Sequence, residues 1–183
     1  MSALALLVSG PPASGKTTLG RALAGHLGAC LLDLDIVVGA LTATIAGLLG
    51  TDDLDARELA GAVRSARYEC LLAAAEDNLR IGTPVVLVAP FSAERADPAR
   101  WLDLRGRLAE AGGEATLVWL RLAPEELVRR LRARGAERDG AKIADPAAFL
   151  ARHPVVPPAI EHLTVDATRD IAMQLAGVLR AIS

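Results

Sequence analysis

Hydrophobic positions along the chain keep two rhythms in alternation. Residues 4–9 form a short unbroken apolar run that ends against glycine and prolines, the pattern of a strand buried on both faces. Residues 16–27 follow with Leu19, Leu23 and Leu27 one helical turn apart. Residues 29–34 read as a second strand, punctuated by Asp33 and followed by Asp35, and 36–49 as a helix without charges. A long helix is predicted over 55–80, with Leu59, Val63, Ala66, Cys70, Leu71 and Ala74 on one side and Gly82-Thr83-Pro84 as its stop. Residues 85–89 are purely aliphatic, as in a central parallel strand. A helix over 98–111 ends at Gly112-Gly113, and 115–122 is a further strand. Pro124 opens another helix, with Glu125 and Glu126 in its first turn and arginines later, an order matched to the helix dipole. A last strand over 160–165 and a helix over 170–182 close the pattern.

Strands separated by helices predict an α/β fold, a three-layer α/β/α sandwich around a mostly parallel five-stranded sheet. With no internal repeat and no linker rich in Pro, Gly or Ser, residues 1–183 read as one domain.

Composition narrows the classes. Apolar residues make up 52% of the 183, enough for a sizeable core. Net charge is −2 and aromatics are 3%, which argues against a broad basic face or a base-stacking platform, so no nucleic-acid partner is expected. Cys30 and Cys70 stand 40 positions apart without a CxxC spacing, and His26, His153 and His162 have no metal-ligand spacing. A reduced, cytoplasmic protein is the natural expectation. The first nine residues lack the basic flank of a signal peptide and read as a strand. The uncharged stretch 36–51 has 16 residues and three glycines. That is short of the roughly 17–25 a membrane span needs, so it reads as a buried or pocket-lining helix. Monomer and homodimer both stay open.

The strongest chemical signal is Gly10-Pro11-Pro12-Ala13-Ser14-Gly15-Lys16-Thr17, which fits G-x-x-x-x-G-K-[ST] between a predicted strand and a predicted helix. Glycines let the backbone close around phosphate oxygens, and the amides and helix N-terminus supply positive potential. Lys16 suits the β- and γ-phosphates, Thr17 offers a hydroxyl to magnesium, and Thr18 extends the set into the helix. The expected ligands are ATP and Mg²⁺. Next come Asp33 and Asp35, spaced i, i+2 at a strand's C-terminal end, which predicts both on one face toward the γ-phosphate. One would hold the metal through its water shell and the other accept a proton from the attacking hydroxyl, an order the spacing leaves open. Third is the arginine-rich stretch 129–142. Arg130 and Arg134 share a helical face, and Arg138 and Lys142 follow Gly135 on a segment suited to fold over the nucleotide. Arg129 and Arg132 read as solvated. The chain's two lysines, Lys16 and Lys142, fall in the phosphate loop and this proposed lid.

In this order, the loop, the Asp-x-Asp and the arginines resemble the small P-loop kinases of the shikimate, gluconate and chloramphenicol phosphotransferase-like group. The resemblance implies a P-loop kinase fold with a helical lid over 130–145. It also implies ATP-dependent transfer to a hydroxyl of a small metabolite or antibiotic. By that likeness Asp33 sits on the Mg²⁺ side, Asp35 handles the acceptor hydroxyl, and the turn at Asp166 touches the adenine. The strand over 85–89 ends in Pro90-Phe91 without a Walker B acid, and no N-K-x-D motif is present, which disfavours motor ATPases and GTPases. The acceptor is expected in the region 36–80, against Asp35, Arg64, Arg67 and Phe91. Arg64 and Arg67 share a helical face and read equally as anion-binding or as surface. Core packing suits Tyr68 at least as well as a site role. Transfer to a nucleotide or polynucleotide end, and a nucleotide-gated regulatory protein without phosphotransfer, are the alternatives.

Overall fold

The computed structural model describes residues 2–50, 57–134, 149–150 and 155–183. The strands are β1 (Ala3–Ser9), β2 (Cys30–Asp33), β3 (Val85–Val88), β4 (Gly113–Arg121) and β5 (Leu163–Asp166). They form one sheet in the order β2-β3-β1-β4-β5, and every pairing is parallel. The described helices are α1 (Lys16–Leu27), α2 (Leu34–Val37), α3 (Gly39–Leu48), α4 (Arg57–Arg80), α5 (Pro98–Glu110), α6 (Pro124–Arg134) and α7 (Ile171–Ile182).

Alternation along the strands divides the core. Ala5 and Leu7 of β1, with Val85 and Leu87 of β3, face α4 and α5 and meet Leu71, Leu72, Leu104 and Leu108 there. Leu6, Val8, Val86 and Val88 face the other way, onto Leu19 and Leu23 of α1, Leu127 and Leu131 of α6 and Val178 of α7. Both faces of the central strands are therefore apolar, as a parallel sheet covered by helices requires. All five strands end on the same side, so the turns after β1, β2 and β3 open onto one rim.

Three expectations shift. The uncharged helix begins at Leu34, because the Asp33 carboxylate accepts the Asp35 amide and caps it, and it breaks at Val38 (φ −119°, ψ 5°) into α2 and α3. On α4, Val63 and Leu71 are buried as expected, but Ala66 and Cys70 are exposed, and the stripe against the sheet continues from Leu71 through Leu72, Ala75 and Leu79. The last strand starts at Leu163, while Ile160 is buried ahead of it as a loop residue.

α1 lies unusually close to β3. A Cβ on Gly20 would stand 2.5 Å from Val88 Cγ2, whereas one on Gly25 meets nothing within 4 Å. Gly20→Ala is expected to cost about 1–3 kcal/mol through overpacking. Gly25→Ala is expected to gain about 0.5–1 kcal/mol from helix propensity. Urea melts of the two variants check this pair, and equal losses would refute the close approach.

Candidate active site

The loop between β1 and α1 is shaped by two glycines that no other residue replaces cheaply. A Cβ on Gly10 would stand 2.7 Å from Ser14 Oγ and 3.1 Å from the Leu120 carbonyl, and Gly15, the residue before α1, takes φ +92°. Ala13 between them is also left-handed, at φ +57°. The loop curls so that the Ser14 amide donates to the Pro11 carbonyl at 3.3 Å. Lys16 lays its ammonium across the curl, donating to Gly10 O at 3.0 Å and Pro11 O at 2.9 Å. Pro11 is buried, Pro12 half-buried and Thr18 exposed. Ser14 is buried with a hydroxyl that no protein group answers. A tight cradle, an unanswered hydroxyl, a helix N-terminus and an ammonium suit a polyphosphate.

Asp33 ties this loop to the next turn. Its carboxylate accepts the Thr17 hydroxyl on Oδ2 at 2.7 Å and the Asp35 amide on Oδ1 at 3.0 Å, and the residue is buried. The two acids therefore do not share a strand face, as their spacing predicted: Asp33 ends β2 while Asp35 stands in the first turn of α2. The cap sorts them. Asp33 is turned inward onto Thr17, and Asp35 keeps a carboxylate with 65% of its surface exposed, 3.3 Å from Arg67 Nη2 on α4.

Beyond Arg67 the rim is polar and partly buried. The Tyr68 hydroxyl accepts the Phe91 amide at 3.0 Å, and the two rings meet edge-on at 5.9 Å. Burial, with the Glu94 carboxylate second, pushes Tyr68 up to about 12 against the opposing pull of the Phe91 amide, Arg64 and Arg67. Phe91 departs from its expected role. Its ring is fully enclosed in the core at φ +44°, so it supports Tyr68 rather than lining an open surface. Arg64 is exposed, within electrostatic reach of Tyr68. Sequence reasoning missed Glu94, Arg95 and Trp119. Arg95 lies over the Trp119 ring at 4.8 Å and donates to Val156 O at 2.7 Å, and burial lowers its proton affinity. The position of 91–95 just after β3 was the available signal, because a turn at a strand's C-terminal end reaches this rim.

On the far side of the loop, Arg130 pairs with Glu126 at 2.7 Å and donates from Nη2 to Ala167 O at 2.8 Å, joining α6 to the turn after β5. Asp166 accepts the Thr168 amide and hydroxyl at 3.0 and 2.7 Å, which hold its carboxyl below the usual range. Asp166 and Thr168 border a cleft of about 430 Å³ that also takes in Trp119, Arg121 and Pro124. Arg129 pairs with Glu126 at the surface, as its solvated reading implied. Arg134 ends α6; Arg138 and Lys142 lie outside the described residues. Among the described residues no three His, Cys, Asp or Glu side chains group to hold a metal, and no helix is long and apolar enough to cross a membrane.

Tyr68 is the only tyrosine of the chain, so phenolate absorbance reports on it alone. Its folded pKa of about 12 exceeds the ordinary 10, so the folded state keeps a proton that the unfolded chain has lost. That stabilisation is complete below pH 10 and is lost as pH rises from 10 to 12, by about 2–3 kcal/mol in total. Alkaline titration should give a midpoint near 12 for the folded protein and near 10 in urea; a folded midpoint near 10 would show a phenol open to water. Tyr68→Phe strands the Phe91 amide and should cost about 1–2 kcal/mol in a urea melt.

The same architecture recurs among solved structures. A protein from Chloroflexus aurantiacus superposes with a TM-score of 0.69 at 23% identity, over 99% of this chain and 96% of that one. A gluconokinase from Sinorhizobium meliloti 1021 gives 0.59 at 20%, over 97% and 92%. The APS kinase of Mycobacterium tuberculosis, in complex with AMPPNP and APS, gives 0.64 at 17%, over 99% and 98%. At such identities the likeness carries the fold, and the fold is that of the P-loop kinases. A comparison with curated proteins finds no match. The family described as AAA domain matches residues 6–156, most of the chain, and with the phosphate loop built as above the chain belongs to that P-loop NTPase family.

Proposed function

We propose that the protein is an ATP-dependent kinase that transfers the γ-phosphoryl group to a hydroxyl of a small molecule. The observation that carries this reading is the division of labour set by Asp33. One carboxylate is buried against the loop's Thr17, and a second is held out toward the rim two residues later. A nucleotide switch without transfer has no use for that second, exposed acid.

Each residue has a part that its position supports. The 10–15 backbone and Ser14 grip the phosphates, and Lys16 exchanges its loop carbonyls for phosphate oxygens. Thr17 and Asp33 are the groups suited to magnesium, Asp33 through water. Mg²⁺ supplies neutralisation of charge on the β- and γ-oxygens when it is bound. Asp35 accepts the proton of the acceptor hydroxyl as its oxygen bonds to the γ-phosphorus and the β,γ-bridging oxygen departs with its electron pair on ADP. Arg130 and Asp166 frame the base side, while Arg134 and Arg138 keep the parts the sequence gives them, on the nucleotide and on the charge of the transferred group, Arg138 from outside the described residues. Arg67 and, at longer range, Arg64 make the acceptor side cationic. The gluconokinase and APS kinase among the structural neighbours support a small-molecule acceptor.

Labelled ATP offered with a panel of sugar acids, hydroxy acids, nucleosides and aromatic alcohols should yield one phosphorylated class. Asp35→Asn should lower that transfer by about 10²–10⁴-fold while calorimetric binding of an ATP analogue is unchanged. Lys16→Met should lose nucleotide affinity as well. Full transfer by Asp35→Asn would remove the acid from the mechanism.

A further inference from the structure

The helix α3 is chemically out of place. Residues 36–51 carry no charge, and a helix that is apolar all round belongs in an interior. Here only one side is covered. Val38, Thr42 and Ala46, spaced four residues apart, are buried, and Ala46 meets Val63 of α4. The other side faces outward, with Leu41 63% and Leu48 82% exposed. Seven residues apart, these two share a ridge, and Ala40, Thr44 and Gly47 lie exposed beside it. The Thr44 hydroxyl folds back to donate to Ala40 O at 3.0 Å, so it offers no bond outward. A Cβ on Gly47 would meet nothing within 4 Å, so no group of this chain requires bare backbone there. Ile36 and Val37 of α2, and Leu49 after α3, are exposed as well. Together these side chains show on the order of 500 Å² of apolar surface, as large a patch as a monomer ordinarily carries.

We propose that the exposed face of α3 is the contact between two copies of this chain, related by a two-fold axis. The proposal is independent of the kinase reading. Its area is sufficient: two such faces laid together bury about 1,000 Å², the size at which specific interfaces begin. Its charge is suited to self-pairing. At a two-fold contact the same patch serves both copies, so a charge near the axis meets its like, and this stretch has none. Its shape is suited too. The ridge of Leu41 and Leu48 stands beside a low strip of Ala40, Thr44 and Gly47, and the ridge of one copy packs into the strip of the other. Gly47, with no side chain, lets the two backbones come close. Other occupants match less of this. The face runs about 15 Å along α3, more than a small acceptor covers. A helix that lies on a membrane flanks its apolar face with Lys or Arg, and 36–51 have neither.

Sedimentation equilibrium of the full chain, from low micromolar to several hundred micromolar, is the test. The average mass should climb from one chain toward two and level there. Leu48→Glu alters a side chain the monomer leaves in solvent, so the fold is kept. It should raise the dissociation constant at least about tenfold, because two carboxylates would be placed in the contact. Leu102→Glu on α5, also at an exposed position, should leave association unchanged. Gly47→Ala separates contact from folding. Alanine favours the helix, so at low concentration the variant should melt at a higher temperature than wild type, yet it should associate more weakly because the strip is filled. The proposal is overturned if wild type stays a single chain throughout, or if its mass rises without levelling at two. It is overturned equally if Leu48→Glu and Leu102→Glu change association alike, or if Gly47→Ala pairs as tightly as wild type. Neutral and anionic lipid vesicles are added in parallel. Binding to them by a chain that stays single, lost in Leu48→Glu, would give the face to a membrane and overturn the pairing.

Discussion

One carboxylate holds the reactive rim in register. Asp33 receives the Thr17 hydroxyl on one oxygen and the Asp35 amide on the other, and it does so from the buried end of β2. Both bonds are accepted by one carboxyl group in a shielded place, where hydrogen bonds are electrostatically stronger than in water. The first fixes the strand relative to the phosphate loop. The second starts α2 at Leu34 and so decides which way Asp35 points. Without the cap, Asp33 and Asp35 would lie on one strand face and compete for the same ground. With it they are assigned opposite neighbours, a helix start on one side and an arginine from α4 on the other.

The sheet makes that arrangement possible. The order β2-β3-β1-β4-β5 puts β1 in the middle, so the phosphate loop opens at the centre of the rim. The turn after β3 stands beside it, tied by the Ser9 hydroxyl donating to Pro90 O at 2.7 Å. The turn after β5 lies on the other side, tied by Arg130 to Ala167 O. Asp35 with Arg67, and Asp166 with Arg130, are thus kept on opposite flanks by strand order. The flank beside β3 is crowded with partly desolvated charge. Burial pushes Tyr68 up and lowers the proton affinity of Arg95.

Much of this was legible in the residues. The alternation of apolar runs and helical stripes gives the layers and the parallel sheet, most plainly at β1 and β3, which are aliphatic and bounded by glycine or proline. The phosphate loop is legible for a stronger reason: Gly10 and Gly15 are demanded by local geometry, so the chemistry is written in adjacent letters. Asp33 and Asp35 were found, but their directions were not. A carboxylate capping the amide two residues on is a choice between strand and helix that spacing alone does not settle. The inward face of α4 was misjudged at Ala66 and Cys70 for a related reason. Its sequence is apolar enough on several sides, and only the position of the sheet selects Leu71, Leu72, Ala75 and Leu79. Glu94, Arg95 and Trp119 escaped because their partners lie on other elements (Tyr68 for Glu94, Trp119 for Arg95), across distances in sequence that no motif spans.

The strained backbone at Phe91 has a consequence for how the rim is anchored. Its side chain is sealed into the interior while its amide answers Tyr68. The direction in which the chain leaves β3 is therefore set by a wedge of hydrocarbon underneath. Arg95 closes the same turn, its amide donating to Phe91 O at 2.9 Å and its guanidinium to Val156 O at 2.7 Å. The path of the chain out of β3 is thereby anchored twice, by apolar burial below and by a polar tie above.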